Sequence, residues 1–239
     1  MSLRNDKKII YKLFEKYKQK YHQIPSLDSI RYTPNNCDAL AQLNTYDLYS
    51  KKYILYIHPN LCSPFDYDKI KQVAFHEFTH IYDSIQLLDK DINSFKQLMK
   101  TYSEINATEI ETRELILTQD KPYSLNKIVK GNIGDLSDII NPTLDSYIEI
   151  SATIFTNNLI IHDKNIQTSD IIELYYLIGK IKALRYFKLD FNLNVLNALD
   201  DTLYDVIYHI INYCISNQTY DLNVLIQLYN QLICTINNI

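Results

Sequence analysis

Apolar and polar positions change their rhythm twice along this chain. Between residues 6 and 21, Ile9, Ile10, Leu13, Phe14 and Tyr17 recur at helical spacing among lysines, with Pro25 just beyond. That pattern predicts an amphipathic helix ending before the proline. From about 28 to 60 the texture shortens. Ile30 with Tyr32, Tyr46 with Leu48, and the run Tyr53-Ile54-Leu55-Tyr56-Ile57 read as short strands, with Asn35-Asn36, Ser50 and Pro59-Asn60 as turns. Beyond residue 66 the period becomes helical. A helix is expected over 69–88, capped by Asp66 or Asp68, and others over 92–118, 124–130, 144–159, 168–187, 199–216 and 219–236. Gly131–Pro142, holding two of the three glycines, is the expected long loop. The whole reads as an α+β protein, predominantly helical. A small N-terminal β-sheet is expected to pack on the helix over 69–88, ahead of a helical C-terminal half. Residues 1–130 are expected to carry the chemistry, with 131–239 a helical region of the same compact unit.

Composition narrows the function classes. The chain has 239 residues, 46% hydrophobic and 22% charged, enough to bury a real core. A net charge of −4, with no clustered basic face, argues against nucleic acid as the partner. The lysines of the first helix are interleaved with Asp6 and Glu15 and read as a solvated face. No apolar run approaches the roughly 18–20 residues needed to span a bilayer. Asp6, Lys7 and Lys8 interrupt any leader-like stretch, and Cys37, Cys62, Cys214 and Cys234 show no paired spacing. A reduced, intracellular and cytoplasmic setting is the expectation. The 21 tyrosines and absent tryptophan reflect biased codon composition. Most of those tyrosines are expected as half-buried helix packing.

Chemistry concentrates in Val73-Ala-Phe-His76-Glu77-Phe-Thr-His80-Ile-Tyr-Asp83. On a helix, residues four apart stand one above the other, so His76 and His80 can aim both imidazoles at one ion. Phe75, Phe78, Tyr82 and Ile85 form an apolar stripe that anchors such a helix, with the histidines beside it. Catalytic zinc takes three protein ligands and keeps a fourth position open. Glu77 is then a general base beside the Zn2+ ion rather than a ligand, and Asp83 a candidate to orient an imidazole. The flanking apolar residues and the preceding strand weigh against a coincidental surface pair. His22, His58, His162 and His209 stand alone.

Two histidines under-coordinate zinc. On a helical wheel Glu104, Ala107, Thr108, Glu111 and Leu115 share one face, and small Ala107 and Thr108 would let that helix approach the metal helix closely. Glu109 points away. Glu104 is the chosen third ligand. Glu149 is the first alternative, because Glu149-Ile-Ser-Ala-Thr echoes Glu104-Ile-Asn-Ala-Thr, and Glu111 is the second.

The block His76–Asp83, followed by Ser103-Glu104-Ile105 and Ala107, resembles the gluzincin metallopeptidases. It is most like the mitochondrial inner-membrane peptidases that process an ATP-synthase subunit, and is also similar to the minimal gluzincins. The resemblance implies zinc, peptide hydrolysis, His76, His80 and Glu104 as ligands and Glu77 as general base. It covers about residues 50–115. The cysteine blocks of the mitochondrial enzymes have no counterpart here, and neither their location nor their substrate is carried over.

The expected partner is a protein or peptide substrate, paired with the edge of the strand at 53–57 or served by an interior strand there. Tyr102, Tyr147 and Tyr123 are candidates, by position only, to hold an oxyanion. The rival reading is a non-catalytic regulatory or interaction protein that keeps zinc as structure or sensor.

Overall fold

The computed structural model describes residues 3–33, 39–62, 65–117, 152–153, 156–157, 168–188, 193–217 and 219–238. Helix α1 (Leu3–Lys20) carries the first apolar stripe and buries Ile10, Leu13, Phe14 and Tyr17. Three strands follow, β1 (Ser29–Tyr32), β2 (Ala41–Leu43) and β3 (Ile54–Ile57), in the order β1-β3-β2. The central strand β3 runs parallel to β1, with Ile30 opposite Leu55, and antiparallel to β2, with Leu43 opposite Leu55.

The expected strand at Tyr46 and Leu48 is instead helix α2 (Thr45–Tyr49). Asn44 decides this: its Oδ1 accepts the backbone N–H groups of Tyr46 at 2.9 Å and Asp47 at 3.4 Å, an N-cap that overrides the β preference of the tyrosines. The second strand sits just before it, at Ala41–Leu43, where composition gives little β signal and pairing with β3 supplies the reason.

Helix α3 (Tyr67–Gln86) begins at Asp66, whose carboxylate accepts the N–H of Lys69 at 3.2 Å. Its apolar stripe meets α1. Phe78 packs edge-on to Phe14 with ring centres 5.1 Å apart, and Phe75 edge-on to Tyr17 at 5.4 Å. The buried Tyr17 hydroxyl meets Thr79 Oγ1 at 3.1 Å, so the one polar atom in this contact is satisfied.

The helix expected over 92–118 is two helices, α4 (Ile92–Met99) and α5 (Tyr102–Ile116). The break is at Thr101, whose hydroxyl back-bonds to the Gln97 carbonyl at 3.0 Å while its own backbone leaves the helical region. Helix α5 lies between α3 on one side and α6 (Thr168–Tyr186) on the other. Helices α7 (Asp201–Ser216) and α8 (Leu222–Ile236) pack on each other, capped by Asp200 and Asp221.

One buried apolar cluster runs from Ile10 in α1 to Ile236 in α8. The fold is α+β and predominantly helical, as the periodicity predicts. The segment at 124–130, the loop Gly131–Pro142, most of 144–159 and the boundary expected near 130 lie outside the described residues. No described helix is long and apolar enough to cross a membrane. Cys62, Cys214 and Cys234 are free thiols.

Candidate metal centre

Helix periodicity builds the centre from two facing elements. One turn of α3 separates His76 from His80, whose rings meet edge-on with centres 4.8 Å apart. Across from them, the first turn of α5 presents Glu104. Its Oε2 lies 3.4 Å from His76 Nε2 and 3.6 Å from His80 Nε2. That oxygen is buried and makes no hydrogen bond of proper geometry.

The spacing fits a shared cation. Donors on a tetrahedral zinc with bonds of about 2.0–2.1 Å stand about 3.3–3.4 Å apart. Among the described residues, His76, His80 and Glu104 are the one group of such side chains whose donor atoms converge, all within 4.8 Å of one another. A buried carboxylate oxygen without a hydrogen bond, facing two imidazole nitrogens, is a donor set that a dication would satisfy.

The far nitrogens are held by hydrogen bonds. His76 Nδ1 meets Glu111 Oε2 at 2.9 Å, and His80 Nδ1 meets Ser103 Oγ at 2.7 Å. Asp83 takes hydrogen bonds from Ser103 and from Asn106 Nδ2, the latter at 3.2 and 3.3 Å. With the Ser103 proton given to Asp83, the serine oxygen accepts from His80 Nδ1–H. That leaves His80 Nε2 with its lone pair toward Glu104, while on His76 a bound cation would have to displace the Nε2 proton, with Nδ1–H kept on Glu111. Asp83, the candidate to orient an imidazole, stands behind Ser103, whose oxygen meets His80 Nδ1. Glu111, weighed as a ligand, instead holds His76 from behind.

Electrostatics follow from burial and these pairings. Burial pushes His80 down to about 4, keeping it neutral. Burial acts the same way on His76, but the adjoining Glu104 and Glu111 carboxylates outweigh it and hold His76 well above its ordinary value. Burial would raise Glu104 and Glu111 as well. The histidines keep Glu104 below the usual carboxylate range, and His76, joined by the Lys180 charge, does the same for Glu111. Glu77 is not among the converging donors. It is buried beside the backbone N–H of Leu43 on β2, its Oε2 makes no hydrogen bond, and burial raises its pKa to about 7. A carboxylate poised near neutrality suits proton transfer, and a dication alongside would pull it lower.

Helix α6 closes the other side. The Tyr176 ring lies 6.2 Å from His76, and its phenol shares the charged surroundings of Glu104, Glu173, Glu111 and Glu77. Burial first, then those carboxylates, push the Tyr176 hydroxyl far up, so it stays a proton donor. Nothing in the sequence singles this residue out. Tyr176 is one of many helix tyrosines, and only the packing of α6 against α5 brings it to the metal helix. Of the expected candidates, Tyr102 packs on Tyr220 at 5.9 Å, beside Asp83 rather than among the donors. Tyr123 and Tyr147 lie outside the described residues, as does Glu149.

The other positions sort cleanly. Glu109 turns away to Arg113 and, at 3.1 Å, to Lys182. Thr108 was expected to ease the approach to the metal helix; its Cβ instead faces Gly179 on α6. The strand at Ile54–Ile57 is central, so it offers no edge, and β2 is the edge strand next to Glu77. Of the lone histidines, His22 stacks on Tyr82 at 3.7 Å, His58 accepts from the Asn60 N–H, and His209 is exposed. His162 lies outside the described residues. Compared with known proteins, the chain matches no family model, no curated protein and no solved structure.

Proposed function

We propose that this chain is a zinc-dependent metallopeptidase of the gluzincin type, which hydrolyses peptide bonds in a protein or peptide. The observation that carries the reading is the convergence of His76 Nε2, His80 Nε2 and Glu104 Oε2, with a separate buried carboxylate, Glu77, next to them. Zinc is the favoured ion because two imidazoles and one carboxylate form a three-ligand set typical of its catalytic sites.

Held there, zinc supplies a Lewis acid for the scissile carbonyl and lowers the pKa of water to about 7. Glu77 takes the proton of the attacking water and passes it to the leaving amine as the C–N bond breaks. The Tyr176 hydroxyl donates a hydrogen bond to the oxygen on which negative charge develops. Glu111 and Ser103 keep the two imidazoles aimed, so little reorganisation is needed during the reaction. Strand β2, one of the two edge strands among the described residues and the one that borders Glu77, is where an extended substrate adds main-chain hydrogen bonds.

A structural or sensory zinc needs the three ligands but not Glu77. Glu77→Gln keeps the shape and removes the base, so it is expected to bind zinc at one ion per chain and to lose hydrolysis of a fluorescence-quenched peptide library. No hydrolysis by either would count for the non-catalytic reading, and equal hydrolysis by both would remove Glu77 as the base.

A further inference from the structure

Helix α6 approaches α5 closely at Gly179, beside the turn that carries Glu104. A Cβ built on Gly179 would stand 2.6 Å from the Ile105 carbonyl oxygen, 2.8 Å from Thr108 Cβ and 3.0 Å from the Glu109 nitrogen. Two of these three are backbone atoms of α5, which cannot swing aside as the end of a side chain can. Reaching ordinary contact at 3.4 Å would part the two helices by about 0.8 Å. Tyr176 lies three residues before Gly179, on the same face of α6. Any retreat of the helix at Gly179 therefore carries the phenol away from His76 and Glu77.

We propose that Gly179 is a positioning residue: its missing side chain lets α6 close on the Glu104 turn and thereby sets the reach of the Tyr176 hydroxyl into the site. The inference rests on the peptidase reading for its kinetic consequence, but its geometric part stands on the helix contact alone. The metal ligands all belong to α3 and α5, so withdrawing α6 leaves them in place. Catalysis is the sensitive quantity, since a misplacement of about 1 Å can cost about a hundredfold.

The test compares wild type, Gly179→Ala, Tyr176→Phe and the double variant. Zinc per chain is measured, with kcat and KM on one peptide cleaved by wild type. In parallel, 3-fluorotyrosine is placed at position 176, and its fluorine resonance is followed in apoprotein and on zinc addition. Tyr176→Phe is expected to lower kcat about a hundredfold with KM little changed. Gly179→Ala is expected to bind zinc fully, to lose a similar factor in kcat, and to show a fluorine shift on zinc addition less than about half that of wild type. The double variant is expected to be no worse than Tyr176→Phe alone, because the two changes remove one interaction.

A folded, zinc-loaded Gly179→Ala with wild-type kcat and fluorine response would overturn the proposal. So would additive losses in the double variant. A Gly179→Ala chain that fails to fold or to bind zinc would also overturn it, by making Gly179 a residue of general packing. The Glu77→Gln result separates this outcome from failure of the peptidase reading, while the fluorine response judges Gly179 without any turnover.

Discussion

Glu104 and Glu111, two helical turns apart on α5, divide the two nitrogens of His76 between them. Glu104 Oε2 stands 3.4 Å from Nε2, and Glu111 Oε2 stands 2.9 Å from Nδ1. One carboxylate faces the point where the ligand atoms converge, and the other fixes the ring from behind. Seven residues bring both onto one face of the helix, so a single segment supplies a candidate metal ligand and the carboxylate that holds the imidazole behind it.

This division predicts different losses at the two positions. Glu104→Ala removes a ligand and should leave the purified protein with little bound zinc. Glu111→Gln should still bind zinc, about 10–100-fold more weakly. Titration against a competing chelator measures both. Full zinc content in Glu104→Ala, with loss in Glu149→Ala, would move the third ligand to the other glutamate.

Ser103 should behave like Glu111 although it carries no charge. Ser103→Ala breaks the path from Asp83 to His80 Nδ1 and leaves the buried Asp83 with Asn106 as its remaining side-chain hydrogen-bond donor. Zinc affinity should fall at least about tenfold, and the chain should lose about 1–2 kcal/mol of stability. Unchanged affinity in that variant would show that the His80 tautomer is set elsewhere.

Glu114 gives a prediction for stability rather than for the site. Its nearly buried carboxylate receives Lys20 Nζ at 2.5 Å, Lys71 Nζ at 3.3 Å and the Tyr21 hydroxyl, tying α5 to α1 and α3. Burial raises its pKa, but the Lys20 and Tyr21 hydrogen bonds and the two lysine charges outweigh that and hold it below its ordinary value. A depressed carboxylate contributes stability above its unfolded pKa of about 4.3, and that contribution is lost as pH falls through the lower folded value. Glu114→Gln should therefore cost about 2 kcal/mol at neutral pH, discounted for the partly exposed Lys20. Its Tm deficit should narrow below about pH 4, as seen by thermal denaturation across pH.

Phe78 tests the core that carries the metal helix. It is fully buried between Phe14 at 5.1 Å and Tyr17 at 5.7 Å. Phe78→Ala should destabilise by about 3–5 kcal/mol in denaturant unfolding. A loss below about 1 kcal/mol would mean that α1 and α3 are not packed as described.

The sequence by itself determined whatever depends on neighbours along one helix. Four-residue spacing set His76 one turn from His80, the apolar stripe at Phe75 and Phe78 fixed which side of α3 is buried, and the wheel of α5 set Glu104 and Glu111 on one face apart from Glu109. Short-range chemistry that outweighs composition was harder to read: the Asn44 cap made a helix of Tyr46 and Leu48, and the Thr101 hydroxyl divided 92–118 in two.

Only the tertiary structure decided contacts between segments distant in sequence. It made Ile54–Ile57 a central strand, since strand order is not written in any one strand. It gave Glu111 to the back of His76 and Ser103 to His80, because the angle at which α5 crosses α3 selects which side chains meet. It also brought the Tyr176 ring to 6.2 Å from His76, on the helix that meets α5 closely at Gly179. Helical periodicity fixes the direction of a side chain about its own axis. The partner it reaches depends on how close two helices come, and that distance is set by atoms on both.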